Sequence, residues 1–312
     1  EDWCHFLRDE NFLVGISIDG PEELHDTGRI DKQGRSSYRE VMRGIELARK
    51  HKVEFNTLTV VSTANAHAPL EVYKFLRNIG SNYLQFIPIV EQAPDAESAE
   101  LGLSLGTPPD LDNPPAEHTP PQVTKWSVPP RDWGAFLCKI FDRWITRDVG
   151  RTYVQHFDVA LGKWLGMPGG SCIQAETCGQ AFALEHNGDL YTCDHFVYPR
   201  YKLGNLLNTS LSELADSPMA KKFGDDKRDR LPKYCKECEV RFACNGDCPK
   251  HRFAYTPEGE YGLSYLCPGY MAFFKHIDPA MKIMAELYRR KQSPAEIITL
   301  IKQGKVTLPV YK

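Results

Sequence analysis

No apolar run in this 312-residue sequence approaches the ~20 residues that a helix needs to span a bilayer. No secretory leader opens the chain, so the expectation is a soluble, cytoplasmic protein without a membrane partner. A basic excess is missing too: 38 Lys and Arg face 41 Asp and Glu, for a formal charge of -3. That argues against nucleic acid as a partner, because general binders carry a cationic face. There is also no initiating methionine. EDWCHFLRDENFLVGISIDGP reaches a buried-strand pattern almost at once, as a chain that begins inside a domain would. Cysteine, by contrast, is plentiful at ten residues. In a reducing compartment, clustered thiols are more often metal ligands than disulfides.

Periodicity organises the first half. Residues 13–19 (LVGISID) form an apolar run ending in Gly20-Pro21, a strand entering a turn. Ser37-x-x-Glu40 has the pattern of a capping box, and Val41, Ile45 and Ala48 follow on one helical stripe. Residues 53–61 (VEFNTLTVV) are rich in β-branched side chains and predict a second strand. Val72, Phe75, Leu76 and Ile79 share a helix face that Gly80 ends, and residues 83–90 (YLQFIPIV) predict a third strand. Strands alternating with amphipathic helices imply βαβ units and a parallel sheet. Three units are too few to close a barrel; they amount to half of one.

Nine prolines fall in residues 93–130, which predicts a long surface loop or insertion without helix or central strand. Trp133, Phe136, Leu137, Ile140, Phe141 and Trp144 then mark an amphipathic helix. Beyond Cys172 the texture changes to short strands and turns. Asn187-Gly188 sits between two alternating runs, a hairpin signal whose second strand ends on Cys193-Asp194. Ser210-x-x-Glu213 opens a short helix, and residues 278–302 predict a helical tail.

Eight of the ten cysteines lie between 172 and 267: Cys172, Cys178, Cys193, Cys235, Cys238, Cys244, Cys248 and Cys267. Cys138 is most simply a small buried hydrophobe. Eight ligands divide into two four-thiolate sites, which suit either structural zinc or iron–sulfur clusters; a disulfide framework is the third reading. The spacing is specific: Cys178-x9-Gly188-x4-Cys193, then Cys235-x2-Cys238-x5-Cys244-x3-Cys248, then Cys267 after eighteen more residues. It resembles the SPASM extension of radical S-adenosylmethionine (SAM) peptide-modifying enzymes. With GISIDGP and the Cys193-Asp194 pair, the sequence is most similar to the anaerobic sulfatase-maturating enzymes.

That resemblance implies an α/β chain. Residues 1–165 would be the C-terminal half of a partial (β/α)6 radical SAM barrel, carrying the insertion at 93–130. Residues 166–275 would be a SPASM domain with two auxiliary [4Fe–4S] clusters, and 276–312 a helical segment. Cys172, Cys178, Cys193 and Cys248 would hold the first cluster; Cys235, Cys238, Cys244 and Cys267 would hold the second. Ser17 of GISIDGP would contact the SAM ribose, Arg29 of HDTGR its carboxylate, and Val90 of QFIPIV the nucleoside. The implied reaction oxidises a cysteine or serine of a sulfatase to formylglycine. A 5′-deoxyadenosyl radical takes a Cβ hydrogen, and the substrate radical then loses a proton to Asp194 and an electron. A neighbouring anionic cluster is expected to raise the Asp194 pKa. Ferredoxin or flavodoxin would be the electron donor.

The family's Cys-x3-Cys-x2-Cys, which binds the SAM-cleaving cluster, does not occur in this sequence. The chain is therefore expected to be a fragment lacking its first strand–helix units and, by itself, inactive. Two other functions compete: a different SPASM-type maturase, such as a thioether-forming one, and a non-enzymatic zinc-binding module.

Overall fold

The computed structural model describes residues 1–115 and 120–311; the part of the proline-rich segment at 116–119 lies outside the described residues. The chain divides into two compact units. The first comprises residues 1–90, 125–165 and 269–312, the second 91–124 and 166–268. Among the described residues no helix is long and apolar enough to cross a membrane.

The first unit is α/β. Strands β1 (Leu13–Ser17), β2 (Glu54–Val61), β3 (Tyr83–Pro88) and β4 (Tyr153–Val154) form one parallel sheet in that order. Along β2 every second residue is buried, Phe55, Thr57, Thr59 and Val61, as a pleat with one covered face requires. Helices Tyr38–Lys50 and Pro69–Asn78 supply the crossovers. The expected three strands are thus four. β4 is two residues long and pairs with β3 through Tyr83 and Leu84, too short for any alternation to register. Its place is fixed by long-range pairing, including the stacked rings of Tyr83 and Tyr153.

Helix Pro130–Arg147 buries all six aromatic and aliphatic residues expected of it. Two further expectations fail. Ser37 forms no side-chain cap, because its hydroxyl donates instead to Arg29 O (2.7 Å) and meets His25 Nε2 (3.1 Å). The tail helix begins at Cys267, not near 278, and continues through Pro279 to Arg289. Proline removes one backbone donor, and buried Phe273, Phe274, Ile277, Met281 and Met284 on either side hold the helix together. A separate helix, Glu296–Lys302, ends the tail.

The second unit consists of short elements. Strands β5 (Ala183–Leu184) and β6 (Asp189–Tyr191) make the expected hairpin, with Gly188 at φ +87° in its turn. An unanticipated strand, β7 (Lys202–Asn205), adds to β6. Strands β8 (Ala254–Tyr255) and β9 (Tyr261–Leu263) form a second ribbon. Helix Leu211–Ala215 carries the full Ser210/Glu213 capping box. The proline-rich segment is not free of helix. Asp95 and Ser98 cap a turn at Ala96–Glu100, where local side-chain bonds outweigh the prolines further along. The segment is also tied down, by Arg200 to Asp110 and Arg230 to Asp112.

Candidate functional site

All eight clustered cysteines fall in the second unit, and none is in a disulfide. Six of them are delivered by specific local devices. The Cys178 N–H donates to Gly224 O (3.2 Å) in helix Pro218–Asp229. Cys193 leaves the hairpin just before a one-turn helix at Asp194–Phe196, whose Phe196 is buried. Cys235 and Cys238 occupy consecutive turns, with Cys238 N–H on Cys235 O (3.3 Å). After Cys244, three successive residues take positive φ: Asn245 (48°), Gly246 (73°) and Asp247 (61°). Asn, Gly and Asp are the residue types that enter this left-handed region most readily. The run turns the chain sharply before Cys248, so neighbours in sequence can serve different centres.

The thiols influence one another in two groups. Burial raises Cys178, Cys193 (to about 12) and strongly Cys248; further upward pushes come from Cys172 on Cys178, Cys178 on Cys193, and Cys193 on Cys248. Burial likewise raises Cys235 (to about 11), Cys267 (to about 12) and, strongly, Cys244; here Cys238 pushes on Cys235 and Cys267, Cys235 on Cys267, and both Cys235 and Cys267 on Cys244. Among the described residues, no three Cys, His, Asp or Glu side chains converge tightly enough for a single metal ion. Four thiolates to a set is the donor chemistry of a [4Fe–4S] cluster. Thiols this hard to ionise need a cation to become ligands, and a metal centre supplies it.

Asp194 is exposed at the end of the hairpin, and the Cys193 thiol donates to its Oδ1 (3.1 Å). The upward push expected of a cluster is separate from what the protein's own groups do. Burial pushes the carboxyl up, but the Cys193 bond, the His195 charge and nearby backbone N–H groups together hold it below the usual range. His195, which carries no sequence signal, brings Nδ1 within 3.5 Å of Cys248 Sγ.

Sequence reasoning also missed two buried cations, Lys227 and Arg252. Arg252 donates to the carbonyls of Asn245, Gly246 and Asp247 and so braces the left-handed turn. Lys227 belongs to KFGDDKRDR, where nothing distinguishes it from its solvated neighbours. Burial and then the Arg252 charge bring its ammonium down to about 8, still charged at neutral pH.

In the first unit, Ser17 ends β1 and is exposed, while Val90 lies buried two residues past β3. Both thus stand at the carboxyl ends of parallel strands, where open α/β sheets bind ligands. Arg29 is already engaged: its Nε meets Asp19 Oδ2 at 2.6 Å and its Nη2 meets Oδ1 at 3.1 Å. That fork fixes the guanidinium. Asp19 Oδ1 also accepts Val60 N–H (2.8 Å), which makes Asp19 the hub of this strand end.

The description of SPASM as an iron–sulfur cluster-binding domain fits residues 172–239. The serine-type anaerobic sulfatase-maturating enzyme of Bacteroides thetaiotaomicron is 44% identical over 99% of this chain and 72% of its own. That of Klebsiella aerogenes is 32% identical over 88% of this chain, which spans only 60% of the relative. The solved structure of native anSMEcpe with bound AdoMet and Kp18Cys peptide superposes with a TM-score of 0.74. It is 29% identical and covers 91% of this chain and 72% of its own. The parallel βα sheet, the cysteine-rich unit that follows it and likeness along nearly the whole length converge on one conclusion: the chain belongs to the anaerobic sulfatase-maturating enzymes.

Proposed function

We propose that this protein oxidises a serine or cysteine side chain of a sulfatase polypeptide to Cα-formylglycine. The single observation that carries the reading is the gathering of eight disulfide-free thiols in one unit, in two interacting sets, with the Asp194 carboxylate hydrogen-bonded to Cys193. The sets support Cys172, Cys178, Cys193 and Cys248 as ligands of one [4Fe–4S] cluster and Cys235, Cys238, Cys244 and Cys267 as ligands of another. Ser17, Arg29 and Val90 would bind SAM, with Arg29 aimed at its carboxylate by Asp19. The bound cofactors would supply hydrogen-atom abstraction and a one-electron route. The substrate carbon would give up one hydrogen atom and the resulting radical one electron, while Asp194, ionised at neutral pH, takes the hydroxyl or thiol proton as a base. From cysteine the thioaldehyde so formed would be hydrolysed by water to the aldehyde with release of hydrogen sulfide.

Residues 1–165 would serve as the SAM-binding part and 166–275 as the auxiliary-cluster part, with a ferredoxin or flavodoxin as electron donor and the cytoplasm as the compartment. Asp194→Asn, assayed in a chain that also carries the family's Cys-x3-Cys-x2-Cys segment, tests the assignment. Product formation should fall about 10²–10⁴-fold, read by mass spectrometry of a sulfatase peptide, while iron content and SAM binding stay intact. Full turnover by that variant would refute the role of Asp194.

A further inference from the structure

Among the described residues of the cysteine-rich unit two cations are almost fully buried, Lys227 and Arg252, and neither hydrogen-bonds a described carboxylate. Lys227 is 1% exposed, and its Nζ donates to the carbonyls of Cys172, Ile173 and Ala175. Arg252, also 1% exposed, spends its guanidinium on the carbonyls of Gly246, Lys227, Asn245 and Asp247. One buried carboxylate acts on both, that of Asp247, and its Oδ2 is occupied by His251 (2.9 Å) and Ser264 (2.8 Å). Two interior positive charges against one negative is a costly balance, because a buried charge loses its hydration and needs an opposite charge to replace it.

Beyond these carbonyls, the groups that feel the two charges include sulfur. The Lys227 charge acts on Cys178 and Cys248. That of Arg252 acts on Cys178, Cys235, Cys244 and Cys248, members of both thiol sets. Neutral thiols offer a cation little. Four thiolates around a [4Fe–4S] core make a net anion, and its negative charge grows by one on reduction, so a fixed cation nearby favours the reduced form.

Resting on the function proposed above, we infer that Lys227 is a built-in counter-charge of the cluster held by Cys172, Cys178, Cys193 and Cys248. Arg252 is shared by both clusters, and together the two cations raise the potentials at which these centres accept an electron from the substrate. The competing explanation is a loop pin: Lys227 would merely tie residues 172–175 together. A pin needs a donor, whereas a counter-charge needs the charge itself.

Potentiometric titration of the intact, cluster-loaded protein separates these. About eight irons and two midpoints in the unaltered protein would secure the cluster reading on its own. Lys227→Gln keeps a donor and removes the charge; Lys227→Arg keeps the charge. In Lys227→Gln, one centre should be about tenfold less reduced at a fixed potential, about 59 mV for a one-electron couple. The other centre should not move, and iron should be retained. Lys227→Arg should restore the first midpoint, and Arg252→Gln should lower both. An unmoved pair of midpoints in iron-replete Lys227→Gln would overturn the inference. So would loss of iron from that variant, which would make Lys227 a pin only.

Discussion

His25 has no solvent exposure, and its two ring nitrogens face different kinds of partner. Nδ1 lies 3.3 Å from the Asp19 N–H and must accept from it. The ring proton therefore sits on Nε2, which donates to Ser37 Oγ, whose own hydrogen goes to the Arg29 carbonyl. A second proton on Nδ1 would break this relay at the residue that also holds the Arg29 fork. Burial above all keeps the imidazole pKa below 6.5; the Arg29 charge adds to it, while Asp19 and Asp26 oppose it. The unfolded chain then binds the proton more readily, so the contribution to stability is present above pH 6.5 and is lost as pH falls through the lower, folded value. Urea midpoints of the protein should drop between about pH 7.5 and about pH 5.5, and His25→Gln, which cannot titrate, should show a smaller drop. If both drop equally, another group is responsible. At this scale the sequence marks Arg29 by motif and carries Asp19 and His25 in the same motifs without assigning them a role, because their importance comes from partners 41 to 46 residues away or from across a turn.

Two glycine contacts decide how elements meet. At Gly224 a Cβ would stand 2.4 Å from Cys178 O, and at Gly269 one would stand 2.1 Å from Pro130 O. In both cases the obstacle is backbone, which cannot rotate aside. Gly224→Ala should push helix Pro218–Asp229 off the Cys178 loop and cost one cluster. Iron should fall from about eight to about four per chain, while the other centre persists; unchanged iron would show that the loop adapts. Gly269→Ala should separate helix Cys267–Arg289 from helix Pro130–Arg147, where Gly134 makes the reciprocal contact. The expected cost is about 1–3 kcal/mol of overpacking, read as a lowered Tm. Elements with a long repeat were legible in advance. β1, β2, β3 and the Pro130–Arg147 helix carry their period in their own residues. β4, β7 and the passage through Pro279 were not, since two to four residues hold no period and tertiary burial overrides a local breaker.

For the whole molecule, the two units differ in what holds them together. The first has a continuous aromatic core, with Trp133, Phe136, Phe141, Trp144, Phe157, Phe273 and Phe274 all buried. The second is built from strands of two to four residues and short helices, and one of its core clusters consists of Leu231, Cys235 and Leu263, with Cys267 packed against it. Where ligand thiols are themselves core residues, metal binding and folding share the same free energy. The buried positive charges of Lys227 and Arg252 sharpen this, since without anionic centres they oppose compaction. Stripping iron from the protein should therefore leave the first unit folded while the second loosens. Hydrogen exchange would read this directly: amides of residues 133–145 should keep their protection after iron removal, while those of 172–178 and 235–248 should lose most of it. Equal loss in both would mean that the cysteine-rich unit draws no stability of its own from the metal. Full retention in both would mean that its short elements and tight turns suffice, and that the clusters serve electron transfer alone.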